Sequence, residues 1–273
     1  MRLARLAGRT VLLTPDGAID VPAAFAADPF ARWDDLRLWS AAATGARPYD
    51  EAELEPPVAA PRQIFAVALN YRPHTAEAGY AEPEVPLVFT KFATCLTGPH
   101  TTVTLPPGHV DWELELVAVI GREAHRVPEE KGWEPVVALT VGQDLSERIS
   151  QLAGRPAQFS LGKSYPGFGP VGPALVSLDE VDDPDDLELT CELNGETVQH
   201  DRTANMIFPI PELVAHISRF CTLLPGDLIF TGTPAGVGNR RVPQRFLTPD
   251  DELVSRIGGV GEMRHRFWRP RNP

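Results

Sequence analysis

From Gln63 onward the sequence is a series of short apolar runs that glycine and proline separate from one another. Such runs are typical of β-strands joined by turns, because an amphipathic helix needs a longer periodic stretch to bury one face. The 22 glycines and 28 prolines exceed the roughly 12% that these residues usually contribute, which disfavours a bundle of long helices. We predict strands at IFAVAL (64–69), PLVFTKF (86–92), DWELELVAVIG (111–121), VVALTVG (136–142), LELTCEL (187–193) and LIFTGTP (228–234).

Two further local structures follow from the sequence of this β-rich part. Asn194-Gly195 lies between two alternating runs and predicts a type I′ hairpin turn, because both residues accept a positive φ. The segment PELVAHISRF (211–220) predicts one helix, with Pro211 in its first turn. The apolar face of this helix is predicted to consist of Leu213, Val214, Ile217 and Phe220.

Residues 1–60 differ from the rest of the chain. They contain one short apolar stretch, a turn and a polar, alanine-rich helical segment that leads to two adjacent prolines. A chain of 273 residues suits one large domain with a small addition. We therefore predict a small N-terminal annex over residues 1–60 and the main, β-rich domain over residues 61–273.

Charge and targeting signals limit the partners that we expect. The formal net charge of −12 opposes attraction to nucleic acids and to anionic membranes, so neither is predicted as a partner. The first ten residues lack the apolar region of a signal peptide, and no apolar run reaches the roughly 18 residues of a membrane span. Cys95, Cys191 and Cys221 are widely spaced and are predicted to be buried, reduced thiols. Together these features predict a cytoplasmic protein.

The most chemically suggestive segment is DWELE at residues 111–115. On a β-strand alternate side chains share a face, so Glu113 and Glu115 would point the same way with backbones ~6.6 Å apart. Two carboxylates placed in this way can bind one cation. The same pattern also fits the exposed end of a strand, and the spacing alone leaves both interpretations open.

Asp144 adds a third carboxylate, because it follows the apolar run VVALTVG at the exit of a predicted buried strand. Carboxylates held within ~4 Å repel by about 4 kcal/mol per pair at an effective dielectric near 20, so such a cluster requires a cation. Oxygen ligands without cysteine or histidine select Mg²⁺, Ca²⁺ or Mn²⁺ rather than Zn²⁺. Arg148 and Lys163 could offset the remaining negative charge and attract an anionic ligand.

Two glycine-containing loops do not fit nucleotide-binding motifs. Gly162-Lys163-Ser164 lacks the first glycine of a phosphate-binding P-loop, since Ala157 stands in its place. The loop AGVGNRR lacks the third glycine of a dinucleotide-binding loop, since Arg241 stands there. We therefore interpret both as turn-rich loops.

The segment NYRPHTAEAG places His74 and Glu77 on one turn of a predicted helix. In this arrangement the carboxylate can orient an imidazole that acts as a general base. An exposed ion pair between residues three apart has the same spacing and remains an alternative. Gly79 is predicted to end the turn and could act as a hinge.

Seven segments together resemble the fumarylacetoacetate hydrolase family, in order over roughly residues 60–267. The resemblance implies an α+β, β-rich fold, a rolled mixed β-sheet sandwich with a variable N-terminal annex, and it implies a homodimer. It makes residues 61–273 the catalytic domain and leaves the first 60 residues uncovered. The segments are LNYRPHTAEAG, PLVFTKFATCLTG, VDWELELVAVIG, VGQDLSER, LGKSYPGFGPVGP, LNGETVQ and PGDLIFTGTPAGVG.

Carried over position by position, this resemblance assigns a role to each candidate residue. It makes Glu113, Glu115 and Asp144 the ligands of a divalent metal, with Mg²⁺ expected and Mn²⁺ or Ca²⁺ as alternatives. It makes His74 and Glu77 the dyad that activates water. The positions that line the substrate pocket or contact the substrate are Arg148, Gln151, Lys163 and Thr233.

Two positions depart from the pattern of many family members. Pro73 stands before the histidine where many members have an acidic residue, and Gln143 precedes Asp144 where many have asparagine. Both departures leave the predicted metal ligands intact.

The function that the resemblance implies is metal-dependent hydrolysis of a carbon–carbon bond in a β-diketo acid of the acylpyruvate or fumarylpyruvate type. The metal would bind the 2-oxo acid end, His74 with Glu77 would deprotonate water, and Lys163 with the metal would hold the departing enolate. Decarboxylation of a 2-oxo acid, isomerisation and hydration on the same metal site are alternatives. A metal-binding scaffold without catalysis is a further alternative, since fold does not fix function.

Overall fold

The computed structural model describes residues 1–270, and most of its regular structure is β-sheet. The strands are β1 (Arg2–Leu6), β2 (Arg9–Thr14), β3 (Gly17–Asp20), β4 (Leu54–Glu55), β5 (Ile64–Ala68), β6 (Leu87–Thr90), β7 (Leu96–Thr97), β8 (Thr102–Thr104), β9 (Val110–Asp111), β10 (Leu114–Ile120), β11 (Val136–Gln143), β12 (Ser146–Glu147), β13 (Gly169–Ser177), β14 (Glu188–Leu193), β15 (Glu196–Arg202), β16 (Leu228–Phe230), β17 (Glu252–Ile257) and β18 (Gly261–Trp268). The α-helices are α1 (Ala23–Ala26), α2 (Trp33–Ser40), α3 (Arg72–Ala78), α4 (Arg148–Gln151) and α5 (Ile210–Ser218).

The strands form one large mixed sheet, a second sheet and a short two-stranded ladder. The large sheet has the order β3-β2-β1-β13-β11-β10-β16-β5-β6, with β4 paired to β1 and β7 paired to β13. In this sheet β5 runs parallel to β16 and β7 parallel to β13, whereas the other pairs are antiparallel. The second sheet has the order β15-β14-β17-β18-β8, and β9 pairs with β12. The predicted β-rich, mixed-sheet fold is confirmed.

Strand β10 lies at the centre of the molecule and is buried on both faces. Leu116 and Ala118 face the core that the second sheet and α5 cover, whereas Val117 and Val119 face a second core on the opposite side. A strand covered on both faces reads as a continuous apolar run, which explains the sequence LVAVI after Glu115. The acidic end of this strand is therefore held in a rigid position.

The first 60 residues add strands to one edge of the large sheet. Leu3 in β1 lies opposite Leu175 in β13, and α2 packs Trp33 and Leu36 into the second core. The division of the chain at residue 60 stays a prediction.

Local predictions agree with the structure at the hairpin turn and differ at two surface residues. Asn194 and Gly195 have φ values of 54° and 80°, as the type I′ turn requires. Phe220 lies outside α5, which ends at Ser218, and its side chain is exposed, so its predicted place on the buried face is wrong. Cys221 is also exposed, whereas Cys95 and Cys191 are buried. Both exposed residues lie in the turn that follows the helix, where the chain has left the core.

Between residues 1 and 270, no helix combines the length and the apolar character that crossing a membrane would need.

Candidate active site

Three buried carboxylates meet where β10 begins and β11 ends. Each of Glu113, Glu115 and Asp144 offers an oxygen, and these oxygens lie within 4.8 Å of one another. The antiparallel pairing of Leu114 with Gln143 brings the two chain segments together, and the Asp144 amide donates a hydrogen bond of 2.9 Å to the Glu113 carbonyl. The three residues predicted as metal ligands are thus neighbours in the structure.

The predicted continuous strand from residue 111 is interrupted immediately before this cluster. Asp111 pairs with Ser146 in the short ladder of β9 and β12, whereas pairing with β11 starts at Leu114. Between them the Glu113 amide donates to the side-chain oxygen of Gln143 at 2.9 Å. The expectation that Glu113 belongs to the strand is therefore wrong, because the chain changes its pairing partner at this point.

Two lysines neutralise part of the carboxylate cluster. Lys163 Nζ lies 2.7 Å from Glu113 Oε2 and 2.6 Å from Asp144 Oδ2. Lys91 Nζ lies 2.7 Å from the other Asp144 oxygen and also donates to the carbonyl of Phe168. Lys91 has no predicted role. The chain contains only three lysines, and this rarity is the one sequence signal that could have identified Lys91.

Arg148 is held in place by carboxylates on both sides. Its guanidinium contacts Asp111 Oδ2 at 2.6 Å and Glu113 Oε1 at 2.7 Å, and it donates to the Gln151 side chain at 2.8 Å. Asp111 also accepts backbone hydrogen bonds from Gly238 and Asn239, which ties the later glycine-rich loop to this point. Asp111 has no predicted functional role, although it is the first residue of the acidic segment DWELE at residues 111–115.

The charges around the cluster set the protonation of its carboxylates. Burial opposes ionisation of Glu113, but Lys163 and Arg148 outweigh it and lower the pKa of Glu113 to about 2. Burial opposes the charged forms of Arg148 and Lys163 as well, but nearby carboxylates outweigh it. Asp111 and Glu113 raise the pKa of Arg148, and Asp144 and Glu113 raise the pKa of Lys163. Burial raises the pKa of Glu115 well above its usual range, and the negative charges of Asp144 and Glu113 raise it further.

Glu115 is the carboxylate that most favours a bound cation. In the described part of the chain it has no basic partner, and its one hydrogen bond is accepted from the Gly232 amide at 2.7 Å. A positive charge beside it would stabilise its ionised form, and the three carboxylate groups are the hard oxygen ligands that Mg²⁺, Mn²⁺ and Ca²⁺ prefer. The residues present therefore fit a divalent metal.

His74 and Glu77 form the predicted pair on α3. His74 Nδ1 lies 3.2 Å from Glu77 Oε2, and Gly79 ends the helix with a φ of 75°. His74 is buried rather than exposed, and Glu77 also accepts a hydrogen bond from the Gly236 amide at 3.1 Å. Glu77 is partly exposed, so the pair is exposed on the glutamate side, but the buried imidazole does not fit the alternative of a pair lying wholly on the surface.

A cavity of about 480 Å³ connects Glu113 of the carboxylate cluster with His74 of the pair on α3. Its wall combines basic, polar and apolar side chains, and the apolar part includes a T-shaped pair of Phe89 and Phe159. His74 of the dyad and Glu113 of the carboxylate cluster line it. So does every residue that was predicted to line the substrate pocket, namely Arg148, Gln151, Lys163 and Thr233.

Thr233 and Gln143 are fixed by hydrogen bonds to the sheets. The Thr233 hydroxyl donates to the Leu114 carbonyl at 2.9 Å and accepts from the Gln199 amide at 2.9 Å. Gln143 donates to Ser255 in the second sheet while it accepts from Glu113. These contacts hold both ends of the cluster against the strands, and the contact of Thr233 with a substrate stays a prediction.

The chain is similar to known proteins in both sequence and structure. The family model for the fumarylacetoacetate (FAA) hydrolase C-terminal domain matches residues 63–268. The chain is 40% identical over 216 residues to oxaloacetate tautomerase FAHD2A, mitochondrial, of Bos taurus, covering 78% of this chain and 69% of that protein.

Solved structures match almost the whole chain. An HpcE-like protein from Mycobacterium smegmatis has a TM-score of 0.93 at 51% identity, with 99% of this chain and 100% of that chain covered. Maleylpyruvate hydrolase from Sphingobium sp. SYK-6, in complex with manganese and pyruvate, has a TM-score of 0.83 at 30% identity, with the same coverage.

Proposed function

This chain belongs to the fumarylacetoacetate hydrolase family, and from that premise we propose that it is a divalent-metal-dependent hydrolase of β-diketo acids. The substrate would be of the acylpyruvate or fumarylpyruvate type, and water would cleave its carbon–carbon bond between the two keto groups. The maleylpyruvate hydrolase similar to this chain was solved with manganese and pyruvate, which supports a pyruvate-like product and a divalent metal.

The observation that carries the proposal is the buried imidazole of His74, which lines the cavity that contains Glu113 and is paired with the partly exposed carboxylate of Glu77. Hydrolysis requires a base next to the bound substrate to deprotonate water, whereas decarboxylation, which only moves electrons toward a metal, does not. The contact between Nδ1 and Glu77 leaves Nε2 of His74 free to accept a proton from water. Glu77 then stabilises the imidazolium, as a general base of this kind requires.

The metal site would supply the electron-withdrawing chemistry. A divalent ion bound by Glu113, Glu115 and Asp144 would bind the 2-oxo acid end of the substrate and act as a Lewis acid. We propose Mg²⁺ as the physiological ion, with Mn²⁺ or Ca²⁺ as alternatives of the same ligand preference.

The protein residues around this position complete the reaction. Lys163 provides the positive charge that compensates the negative charge left on the departing pyruvate-like fragment. Arg148 is oriented by Asp111, so its guanidinium and Gln151 present donors of fixed geometry to the oxygens of the substrate. His74 returns its proton to the leaving carbon, and the dyad is then ready for the next water.

A second candidate function is tautomerisation or another isomerisation of a 2-oxo acid on the same site. The 40% identity to an oxaloacetate tautomerase favours it, because this identity exceeds the 30% shared with the maleylpyruvate hydrolase. Decarboxylation uses the same electron withdrawal and is less demanding of the dyad, whereas hydration needs an activated water as hydrolysis does. A scaffold without catalysis is disfavoured, because every predicted ligand and both dyad residues are present.

We also propose a homodimer. Strand β6 ends the large sheet, so one edge of it has no partner strand in the described chain, and its side chains Leu87 and Val88, which also line the cavity, are exposed. Exposed apolar edge strands tend to be covered by another chain. Multi-angle light scattering tests this proposal, and a monomer at micromolar concentration would contradict it.

The decisive experiment is an assay of the purified, Mg²⁺-loaded protein. Acylpyruvates and oxaloacetate are offered in parallel, and loss of enol absorbance is followed together with release of pyruvate. Pyruvate release that matches acylpyruvate loss supports the hydrolase. Equilibration of the keto and enol forms of oxaloacetate, with acylpyruvates left intact, would support the tautomerase instead.

A further inference from the structure

The basic residues that line the cavity differ in how far their charges are already compensated. Arg148 is paired with Asp111 and Glu113, and Lys163 is paired with Glu113 and Asp144. Among the lining residues within positions 1–270, Glu113 is the single carboxylate. The cavity thus contains one carboxylate that already serves two cations.

Arg240 is the lining cation that has no charged partner within residues 1–270. It lies at the end of the 3-10 helix Gly238–Arg240, and its side chain is exposed at the cavity wall. The neighbouring Arg241 and Arg245 both contact Glu196, whereas Arg240 has no ion pair or side-chain hydrogen bond among the described residues. An arginine left without a partner at a cavity wall is available to bind a ligand carboxylate.

The position of Arg240 is fixed by the active site itself. The amides of Gly238 and Asn239, immediately before it, donate to Asp111, the partner of Arg148. The Gly236 amide, earlier in the same loop, donates to Glu77 of the dyad. The loop that carries Arg240 is therefore tied both to the buried cations and to the base, and its backbone next to Arg240 is held in register with them.

The wall of the cavity also contains an apolar portion. Leu87, Phe89 and Phe159 line it without polar side-chain groups. A hydrocarbon chain can lie against such a surface, provided that its charged ends find partners elsewhere. The same cavity offers one partner at the buried carboxylate cluster and another at the exposed arginine.

We propose that Arg240 is a specificity-determining residue that binds a second carboxylate at the far end of the ligand. The preferred ligands would then be dicarboxylic 2-oxo acids, with one end at the metal site and the other at Arg240. This inference rests on the proposed function, because it takes the 2-oxo acid end to lie at Glu113, Glu115 and Asp144. Arginine suits this role because its planar guanidinium binds a carboxylate through two parallel hydrogen bonds.

The test is a binding measurement that does not depend on turnover. Calorimetry of the Mn²⁺-loaded protein compares 2-oxoadipate with 2-oxohexanoate, which have the same chain length and differ in a terminal carboxylate or methyl group. Neither contains a β-diketone, so neither can be cleaved. We expect 2-oxoadipate to bind about 10-fold more tightly, the value of one charge-assisted contact.

Variants of the arginine assign the difference to its side chain. Arg240→Gln should remove most of the preference and leave 2-oxohexanoate binding unchanged, and Arg240→Lys should restore part of it. The matched control is Arg155→Gln, which removes an exposed arginine from the nearby loop without changing the cavity wall. Control and unchanged protein should behave alike.

Equal affinity for the two acids, failure of both to bind, or an equal loss of both in Arg240→Gln would overturn the inference. The proposed reaction fails separately, in the assay with acylpyruvates. If 2-oxoadipate is preferred through Arg240 while no acylpyruvate is hydrolysed, the carboxylate site stands and the reaction is a different one.

Discussion

Lys91 and Asp144 form an ion pair of 2.7 Å in which neither side chain has any exposed area. Removing Lys91 leaves Lys163, at 2.6 Å, as the one basic partner of Asp144 among residues 1–270, and breaking a buried pair in this way typically costs about 3 to 5 kcal/mol. We predict that Lys91→Met lowers the free energy of unfolding by about this amount in urea denaturation. Lys131→Met, which removes an exposed lysine, is the matched control and should cost under about 1 kcal/mol. Similar losses in both variants would contradict the structural role of Lys91.

Glu115→Ala should abolish metal binding. The variant removes the carboxylate that has no basic partner in the described chain, so the other two ligands remain mainly compensated by lysines. Calorimetric titration of Mn²⁺ should give an affinity reduced by about 100-fold or more, since even residues that only support a ligand contribute 10- to 100-fold. Glu123→Ala, on the surface, should bind as the unchanged protein does. Undiminished affinity in Glu115→Ala would remove this residue from the metal site.

His74→Ala should separate hydrolysis from reactions that need only electron withdrawal. Loss of the general base should lower acylpyruvate hydrolysis by about 10²-fold or more. Any decarboxylation of oxaloacetate by the same variant should fall much less, because it needs only a sink for the electrons of the departing carboxylate. Glu77→Gln should act in the same direction more mildly, because the imidazole remains and only its charged partner at 3.2 Å is lost. Steady-state kinetics on both substrates decide, and an unchanged hydrolysis rate in His74→Ala would refute the role of the dyad.

His265 should make the stability of the fold depend on pH. Burial lowers the pKa of His265 to about 4, with a smaller contribution from the nearby His100. In the unfolded chain a histidine has a pKa near 6.5, so stability is complete above that value. As the pH falls from about 6.5 to 4, the unfolded chain binds a proton that the folded protein excludes, and up to about 3 kcal/mol is lost.

Chemical denaturation at several pH values measures this effect. His265→Gln should flatten the slope of stability against pH in this window, whatever its effect on stability at neutral pH. His200→Gln, which changes an exposed histidine, should keep the original slope. An unaltered slope in His265→Gln would assign the acid sensitivity to other groups.

The metal cluster was accessible to sequence reasoning because its members sit next to strongly patterned strands. The apolar runs that become β10 and β11 place Glu113, Glu115 and Asp144 at strand ends. The antiparallel pairing of the two strands then brings the three carboxylates together. Lys91 was not accessible in the same way, since its partner lies 53 residues further along the chain and no local period connects them. The pairing of β1 with β13 is a contact of the same long-range kind.

Arg240 illustrates a second limit. Its neighbours in the sequence, Asn239 and Arg241, suggest only a polar loop, and the cavity that it lines is assembled from distant segments. Phe220 shows the opposite error, because its spacing fits the helical period although the helix ends two residues before it. Periodicity predicts which face a residue would take within an element, but it does not predict where the element stops.

The burial of β10 on both faces has a consequence for how relatives of this protein can diverge. Each apolar side chain of this strand packs into one of two cores, so a change that would move a metal ligand also disturbs the packing on one side. Loops such as the one that carries Arg240 meet no such restriction on their exposed side chains. New substrate preferences should therefore accumulate at the rim of the cavity while the reaction centre is inherited unchanged.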